Sequence, residues 1–223
     1  AFGYGNGGYE LAKQLEHHKV AYLGVAFADE GIELRKAGLK TPIMVLNPEN
    51  SSFAAMIAYN LEPEIYSISG LKAFLKVGQA QNISNYPIHI KVDTGMHRLG
   101  FEAPQLDELI SLLRNNNLIT IKSVFSHLAA TDDTQFESFT RKQINRFEAF
   151  YEKFSTELQV LPIRHILNTS GIFNYPEKQY EMVRLGIGLY GIGNSDIETS
   201  QLQNVSTLKS IISQIRTVLP GES

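Results

Sequence analysis

Pro87-Ile88-His89-Ile90-Lys91-Val92-Asp93-Thr94-Gly95-Met96-His97-Arg98-Leu99-Gly100 is the stretch on which the fold turns. Side chains alternate across a strand, so Ile88, Ile90 and Val92 share one face while His89, Lys91 and Asp93 share the other. A glycine-bounded loop follows, and then Leu106, Leu109, Ile110 and Leu113 recur at helical spacing. Strand, loop and amphipathic helix together make one β–α unit, whose strand must be covered on both faces.

The same unit recurs on either side. Strand-like runs are predicted at Tyr22 to Phe27, Pro42 to Leu46, Glu64 to Ser69, Ile88 to Asp93, Ile119 to His127, Ile163 to Leu167 and Val183 to Tyr190. Helical spacing separates them: Leu11, Leu15 and Val20 first, then Ile32, Leu34 and Leu39. The longest helix is expected over about Gln135 to Leu158, with a core-facing stripe of Phe136, Phe139, Ile144, Phe147, Tyr151, Phe154 and Leu158. Alternating strands and helices imply a parallel sheet. Seven such strands, behind a glycine-rich segment that a strand should precede, fit an α/β fold of the TIM-type (β/α)8 barrel kind without its first strand. Residues 1–195 are assigned to this barrel. Residues 196–223 are expected to be a linker followed, over Leu208 to Val218, by the first strand of a second, β-rich domain.

Composition narrows the function classes. The 223 residues are 43% hydrophobic, with net charge −3 from 20 basic and 23 acidic side chains and no run of like charge. Nucleic acid and anionic membrane surfaces are therefore not expected partners. Cysteine is absent, which removes disulfides and thiolate metal sites and fits a cytoplasmic protein; no metal is expected. No apolar run approaches the roughly 20 residues that span a bilayer.

Five places could carry chemistry. Gly3, Gly5 and Gly8 match G-x-G-x-x-G, with Asp29 and Glu30 placed like a ribose-binding acid; a tight turn or a phosphate loop of another kind reads the same glycines. On the charged face of the central strand, a structural Lys91–Asp93 ion pair competes with a polar cavity into which Arg98 reaches. His127 follows the next strand, at the end where barrels place their working loops. Asn168, Thr169 and Ser170 open a helix and read either as a plain N-cap or as an anion site. Arg184 lies in an apolar run and needs a partner, while Gly186 and Gly188 behind it permit close approach of a ligand.

Taken in order, these segments resemble alanine racemase, a fold-type III pyridoxal-phosphate enzyme family, over nearly the whole chain. Asp93 to Gly100 is the most specific piece, then Met182 to Gly191; Ala1-Phe2-Gly3-Tyr4-Gly5 is similar to the stretch after the family's cofactor lysine, departing around Phe2 and Gly3. The resemblance implies that Tyr4, Thr169 and the backbone of Gly186 and Ile187 hold the phosphate of pyridoxal 5'-phosphate. His127 would lie against its ring, Arg184 would face its pyridine nitrogen, and Asn168 would support the site. Arg98 would serve the phenolic oxygen or substrate region, making Arg98, His127 and Arg184 the catalytic set within this chain. Lys91 matches a position that is carbamylated in some relatives.

The resemblance further implies a Schiff-base lysine just before Ala1 and a second-base tyrosine beyond Ser223, so the isolated chain is expected to be inactive. The parent is expected to be a cytoplasmic homodimeric isomerase making D-alanine for peptidoglycan synthesis, in the style of a racemase fused to a cell-wall ligase. The partner subunit's C-terminal domain would complete each site. A non-enzymatic pyridoxal-phosphate carrier barrel and a nicotinamide-dependent oxidoreductase are the alternatives.

Overall fold

The computed structural model describes residues 3–222; Ala1, Phe2 and Ser223, including the opening of the motif at the N-terminus, lie outside the described residues. Six strands form one parallel sheet in chain order: β1 (Leu23–Val25), β2 (Ile43–Val45), β3 (Glu62–Ile65), β4 (Tyr86–Lys91), β5 (Ile119–Phe125) and β6 (Ile163–His165). Every neighbouring pair is parallel, and each crossover carries helix. The helices are α1 (Gly8–His17), α2 (Ala28–Lys36), α3 (Phe53–Ala58), α4 (Ile68–Ala80), α5 (Leu106–Leu113), α6 (Glu137–Leu158), α7 (Thr169–Asn174) and α8 (Asp196–Ser200). The result is a TIM-like α/β sheet that curls without closing into a full barrel.

The strands bury both faces, as a parallel sheet under helices must. On the outer face Ile43, Ile65, Ile88, Ile90 and Val124 pack into one apolar core with Leu71, Phe74, Leu109 and Phe147 from the helices. The inner face carries the polar side chains: Glu64, His89, Lys91, Ser123 and His165 are all buried there, with Phe125 packed between Lys91 and His165. α6 presents Ile144, Phe147, Phe150 and Phe154 to the core. The core-facing stripe differs from the expected one in two places. Phe136 is half exposed because it precedes the helix, and Phe150 takes a core place that the expected stripe gave to none.

Several expected strands have other bounds. β3 lies at Glu62–Ile65 rather than Glu64 to Ser69, because Ser67 is the N-cap of α4 and accepts from the Gly70 backbone N–H at 3.1 Å. Val183 to Tyr190 is no strand. Its backbone makes a single bridge-like contact, Arg184 N–H to the Leu167 carbonyl at 3.1 Å, and then tightens into a short 3₁₀ turn at Ile187–Tyr190. β-branched and glycine-rich character there serves close packing against Thr169 instead of a ladder. No strand forms over Leu208–Val218 either, and those side chains are exposed.

The loop after β4 returns on itself. Val92 and Phe101 pair across it; Asp93 N–H donates to the Phe101 carbonyl at 3.0 Å and Phe101 N–H to the Lys91 carbonyl at 2.8 Å. Gly100 makes this possible. It has φ +134°, and a β-carbon there would collide with the backbone of Val92 and Asp93. Gly100→Ala is expected to cost roughly 3 kcal/mol or more, since both the backbone angle and the space are wrong. Gly38→Ala, at φ +91° with open space around it, should cost only about 1 kcal/mol. Urea midpoints of the two variants check the contrast, and equal midpoints would refute it.

Candidate active site

At the C-terminal ends of the strands a cavity of about 1140 Å³ is lined by Tyr4, Glu64, Lys91, Arg98, His127, His165, Asn168, Thr169, Arg184 and Gly186, among others. Most residues singled out in the sequence therefore meet in one place, although they are spread over the whole chain.

Arg184 is the centre of the arrangement. Its Nη1 donates to the His165 Nδ1 at 2.6 Å and to the His165 carbonyl at 3.1 Å. Its Nη2 donates to the carbonyls of Ser126 at 2.6 Å and Ile166 at 3.3 Å, and to the His127 Nδ1 at 3.3 Å. Nε–H makes no hydrogen bond among the described residues. Burial lowers this guanidinium to about 10, Glu64 opposing and Arg98 adding to the shift, so it stays charged at neutral pH.

Because Arg184 can only donate, its partners must accept. Both His165 Nδ1 and His127 Nδ1 are therefore bare. Burial and the nearby Arg184 push His127 down to about 3 and His165 well below its ordinary value, so both rings are neutral. His165 then carries its proton on Nε2, which lies 2.9 Å from the Ser123 hydroxyl. Ser123 lies 2.7 Å from His89 Nδ1, and His89 Nε2 lies 2.8 Å from Glu62. Burial keeps His89 below its ordinary value as well. A neutral His89 facing a carboxylate must hold its proton on Nε2, so Ser123 donates to its Nδ1. A one-way hydrogen-bonded row thus runs Arg184, His165, Ser123, His89, Glu62 through the polar interior of the barrel.

A second cluster sits near the chain's N-terminus. Thr169 Oγ1 receives the backbone N–H groups of Gly186 and Gly188, each at 3.2 Å. A β-carbon on Gly186 would lie 2.8 Å from the Tyr4 hydroxyl, and one on Gly188 would lie 2.7 Å from Thr169 Cγ2. Both glycines thus leave room for two hydroxyls to converge with two backbone donors. Tyr4 holds a left-handed backbone, φ 57°, between two glycines that share that sign. Tyr190 pins this loop: its hydroxyl donates to the Gly3 carbonyl at 2.5 Å and its ring meets Tyr4 edge-on at 5.5 Å. Ile187 lines the cavity beside Gly186, while Gly188 packs against Thr169.

Asn168 is the N-cap of α7, its Oδ1 accepting from Gly171 N–H at 2.9 Å and from the Thr131 hydroxyl at 2.8 Å. The anticipated Lys91–Asp93 pair does not form. Asp93 Oδ1 accepts from the backbone of Gly95 at 2.8 Å and of His97 at 3.2 Å, so its carboxylate is spent on the loop. Lys91 instead faces Glu64 at 3.8 Å and lies over the Phe125 ring at 4.4 Å. Arg98 is exposed at the cavity edge.

Three contributors were passed over in the sequence: Glu62, Glu64 and Ser123. Glu62 and Glu64 stand two apart in a short strand, which is the signal of one polar face turned inward. Gln143 of α6 ties the site's loops together, accepting from Ala129 N–H at 3.0 Å and donating to Thr94 and the His127 carbonyl at 3.3 Å.

Fold and cavity define the class: a curled, TIM-like α/β sheet whose inner face carries a polar cavity built around one half-buried arginine. Residues 1–194 match the family described as "Alanine racemase, N-terminal domain", and the chain belongs to that family. It is 32% identical to alanine racemase 1 of Oceanobacillus iheyensis over its full length and 60% of that relative's. Alanine racemase of Clostridium novyi is 35% identical, again over the full chain and 58% of the relative. An alanine racemase structure from Clostridium difficile 630 superposes with TM-score 0.83 at 32% identity, over 91% of this chain and 53% of the other. The chain thus spans about 60% of the length of the curated relatives it matches.

His127 is expected to remain unprotonated throughout pH 5 to 8, the range in which an ordinary histidine titrates. Side-chain NMR should show its ring shifts flat across that interval and His165 in the Nε2–H tautomer. A titration of His127 with a midpoint near 6.5 would contradict the arrangement.

Proposed function

We propose that this chain is the cofactor-binding barrel of a pyridoxal-phosphate-dependent isomerase that interconverts L- and D-alanine. The observation that carries the reading is that Tyr4, Thr169 and Gly186 line the same cavity as Arg184, with Thr169 Oγ1 held by the backbone N–H groups of Gly186 and Gly188 and the glycines leaving space beside both hydroxyls. The donors suit a phosphate, and the glycines leave the space one needs. Bound there, pyridoxal phosphate supplies an electron sink that acidifies the α-hydrogen of an amino acid.

The chain's own residues divide the remaining work. Tyr4, Thr169 and the backbone of Gly186 and Ile187 hold the phosphate, at the positions that line the cavity. His127, kept neutral, offers a flat uncharged ring for stacking. Arg184 has Nε–H free for the pyridine nitrogen and, as a cation that only donates, gives that atom no proton. Arg98, at the exposed edge, is placed to attract the carboxylate of an incoming amino acid or the phenolic oxygen. Asn168 stiffens the start of α7 beneath the phosphate site. Proton transfer itself falls to a lysine before Ala1 and a tyrosine beyond Ser223, so the isolated chain is read as inactive.

Residues 1–195 are taken as the barrel domain and 196–223 as a linker and first strand of a C-terminal β domain. Leu208, Ile211, Ile212, Ile215 and Val218 are mostly bare to solvent, a row of apolar side chains that calls for cover. A homodimer in which each partner's C-terminal domain closes the cavity supplies that cover and the substrate's second wall. Cytoplasmic residence and service to peptidoglycan precursor synthesis follow from the same reading; the absence of cysteine is in keeping, and no described helix is long and apolar enough to cross a membrane. The strand order runs β1 to β6 without the reversal at which dinucleotide folds bind, which favours this reading over a nicotinamide-dependent oxidoreductase.

The test uses the protein with its natural flanking residues. Added pyridoxal phosphate should give a near-ultraviolet to visible band that borohydride fixes on the lysine before Ala1, and L-alanine should racemise. Thr169→Val should weaken cofactor affinity roughly tenfold, about 1.4 kcal/mol, as one charge-assisted hydrogen bond is lost. No band would remove the reading, and a band without racemisation would leave only a carrier. Racemisation by residues 1–223 alone would refute the assignment of the two bases.

A further inference from the structure

Glu64 is the one described residue whose buried side-chain oxygens, both of them, have no hydrogen-bond partner. It is 1% exposed, lies on β3 facing the cavity, and has Lys91 as its neighbour at 3.8 Å. An ionised carboxylate in such a place is costly unless positive charge faces it. Here it does: Lys91, Arg184 and Arg98 all act on it, and every one of them favours its charged form. Burial outweighs that attraction and sets the net direction, Glu64 raised and Lys91 lowered. Arg184 and Arg98 lower Lys91 further, and of the two acids that oppose the loss of its charge, Glu64 and Asp93, Glu64 has the larger effect.

We infer that Glu64 is the built-in counter-charge of this cavity, holding Lys91 as an unmodified ammonium where the family resemblance would allow a carbamate. Carbamate formation joins the lysine nitrogen to the carbon of carbon dioxide and sheds its extra protons to solvent, so a cation becomes an anion. Two observations oppose that change. The new anion would stand beside a carboxylate that already has no hydrogen-bond donor. It would also replace the ammonium over the face of Phe125, where a cation is attracted and an anion repelled. Glu64 therefore supplies from its own strand the negative charge that a carbamate would bring, with no dependence on dissolved carbon dioxide. In the reaction it is a positioning residue: it keeps Lys91 in place and offsets Arg98 and Arg184, which reach the cofactor site.

The inference deepens the racemase reading of the same cavity and rests on it only where turnover is measured. The full-length protein in ¹³C-bicarbonate should show no carbamate carbon that depends on Lys91, a result that needs neither cofactor nor activity. A carbamate resonance in the unaltered protein that Lys91→Met removes would overturn the inference. In kinetics, Glu64→Gln should lower kcat/KM roughly tenfold or more, because one partner of a buried charge pair is gone. Glu64→Ala, which leaves a carboxylate-sized space, should regain activity with added acetate, and Glu64→Gln, which fills that space, should not. A folded Glu64→Gln protein with undiminished kcat/KM, or a folded Glu64→Ala protein that acetate cannot restore, would refute the role. If either variant fails to fold, the carbon-13 measurement on the unaltered protein still decides.

Discussion

The enclosure of one guanidinium governs the rest of this molecule. Arg184 cannot shed its proton at working pH, and it is half-buried with both of its Nη groups turned into the protein, so the ends of β5 and β6 turn their carbonyls toward it. Those carbonyls are available because both strands stop there: Ser126 and Ile166 lie just past the last ladder residues, Phe125 and His165. Removing the charge would leave three carbonyls and two ring nitrogens pointing at nothing. The polar interior of the barrel is thus a consequence of placing a cation inside it, and each histidine tautomer along the row follows from that cation's inability to accept.

Charge balance extends the same constraint. Lys91, Arg98 and Arg184 converge on a space lined in part by apolar walls, which favours anionic occupants such as a phosphate or an amino-acid carboxylate. Three cations together in low dielectric repel one another, and Glu64 is the acid that meets them without a hydrogen bond of its own. Asp93, on the same strand face as Lys91, could have served. Instead its Oδ1 is taken by the backbone N–H groups of Gly95 and His97, and its Oδ2 faces the His97 ring, in the returning loop that Gly100 permits. The loop's shape and the cavity's charge are therefore set by the same few residues.

Much of this could be read from the chain, and what could not has physical reasons. Alternating β–α units gave away the parallel sheet because period 2 and period 3.6 are local signals; His127 and Thr169 stood out as polar groups where strands end, Arg184 as a charge in an apolar run, and Tyr4 only through the family resemblance. Val183 to Tyr190 misled because β-branched and apolar residues mark buried backbone, whether laddered or not. Lys91 was matched with Asp93 because both lie on one strand, whereas its true neighbour comes from β3, a partnership fixed by register and not by spacing. Ser123 carries no sequence signal at all. A lone serine in a strand becomes a relay only when two histidines from neighbouring strands close on it.

The direction of that relay limits what it can do. From Arg184 every proton points away from the cavity: His165 Nε2–H toward Ser123, Ser123 toward His89, His89 Nε2–H toward Glu62. Moving a proton toward the cavity would require His165 to take one on Nδ1, the atom that already receives Arg184 at 2.6 Å. Two positive hydrogens would then face each other, in a setting where burial and Arg184 already hold His165 well below its ordinary value. The row is a brace for the guanidinium and no wire for protons. A sheet built this way keeps a cation fixed at the mouth of the cavity, and the row behind it can hold that cation in place without carrying protons to whatever the cavity binds.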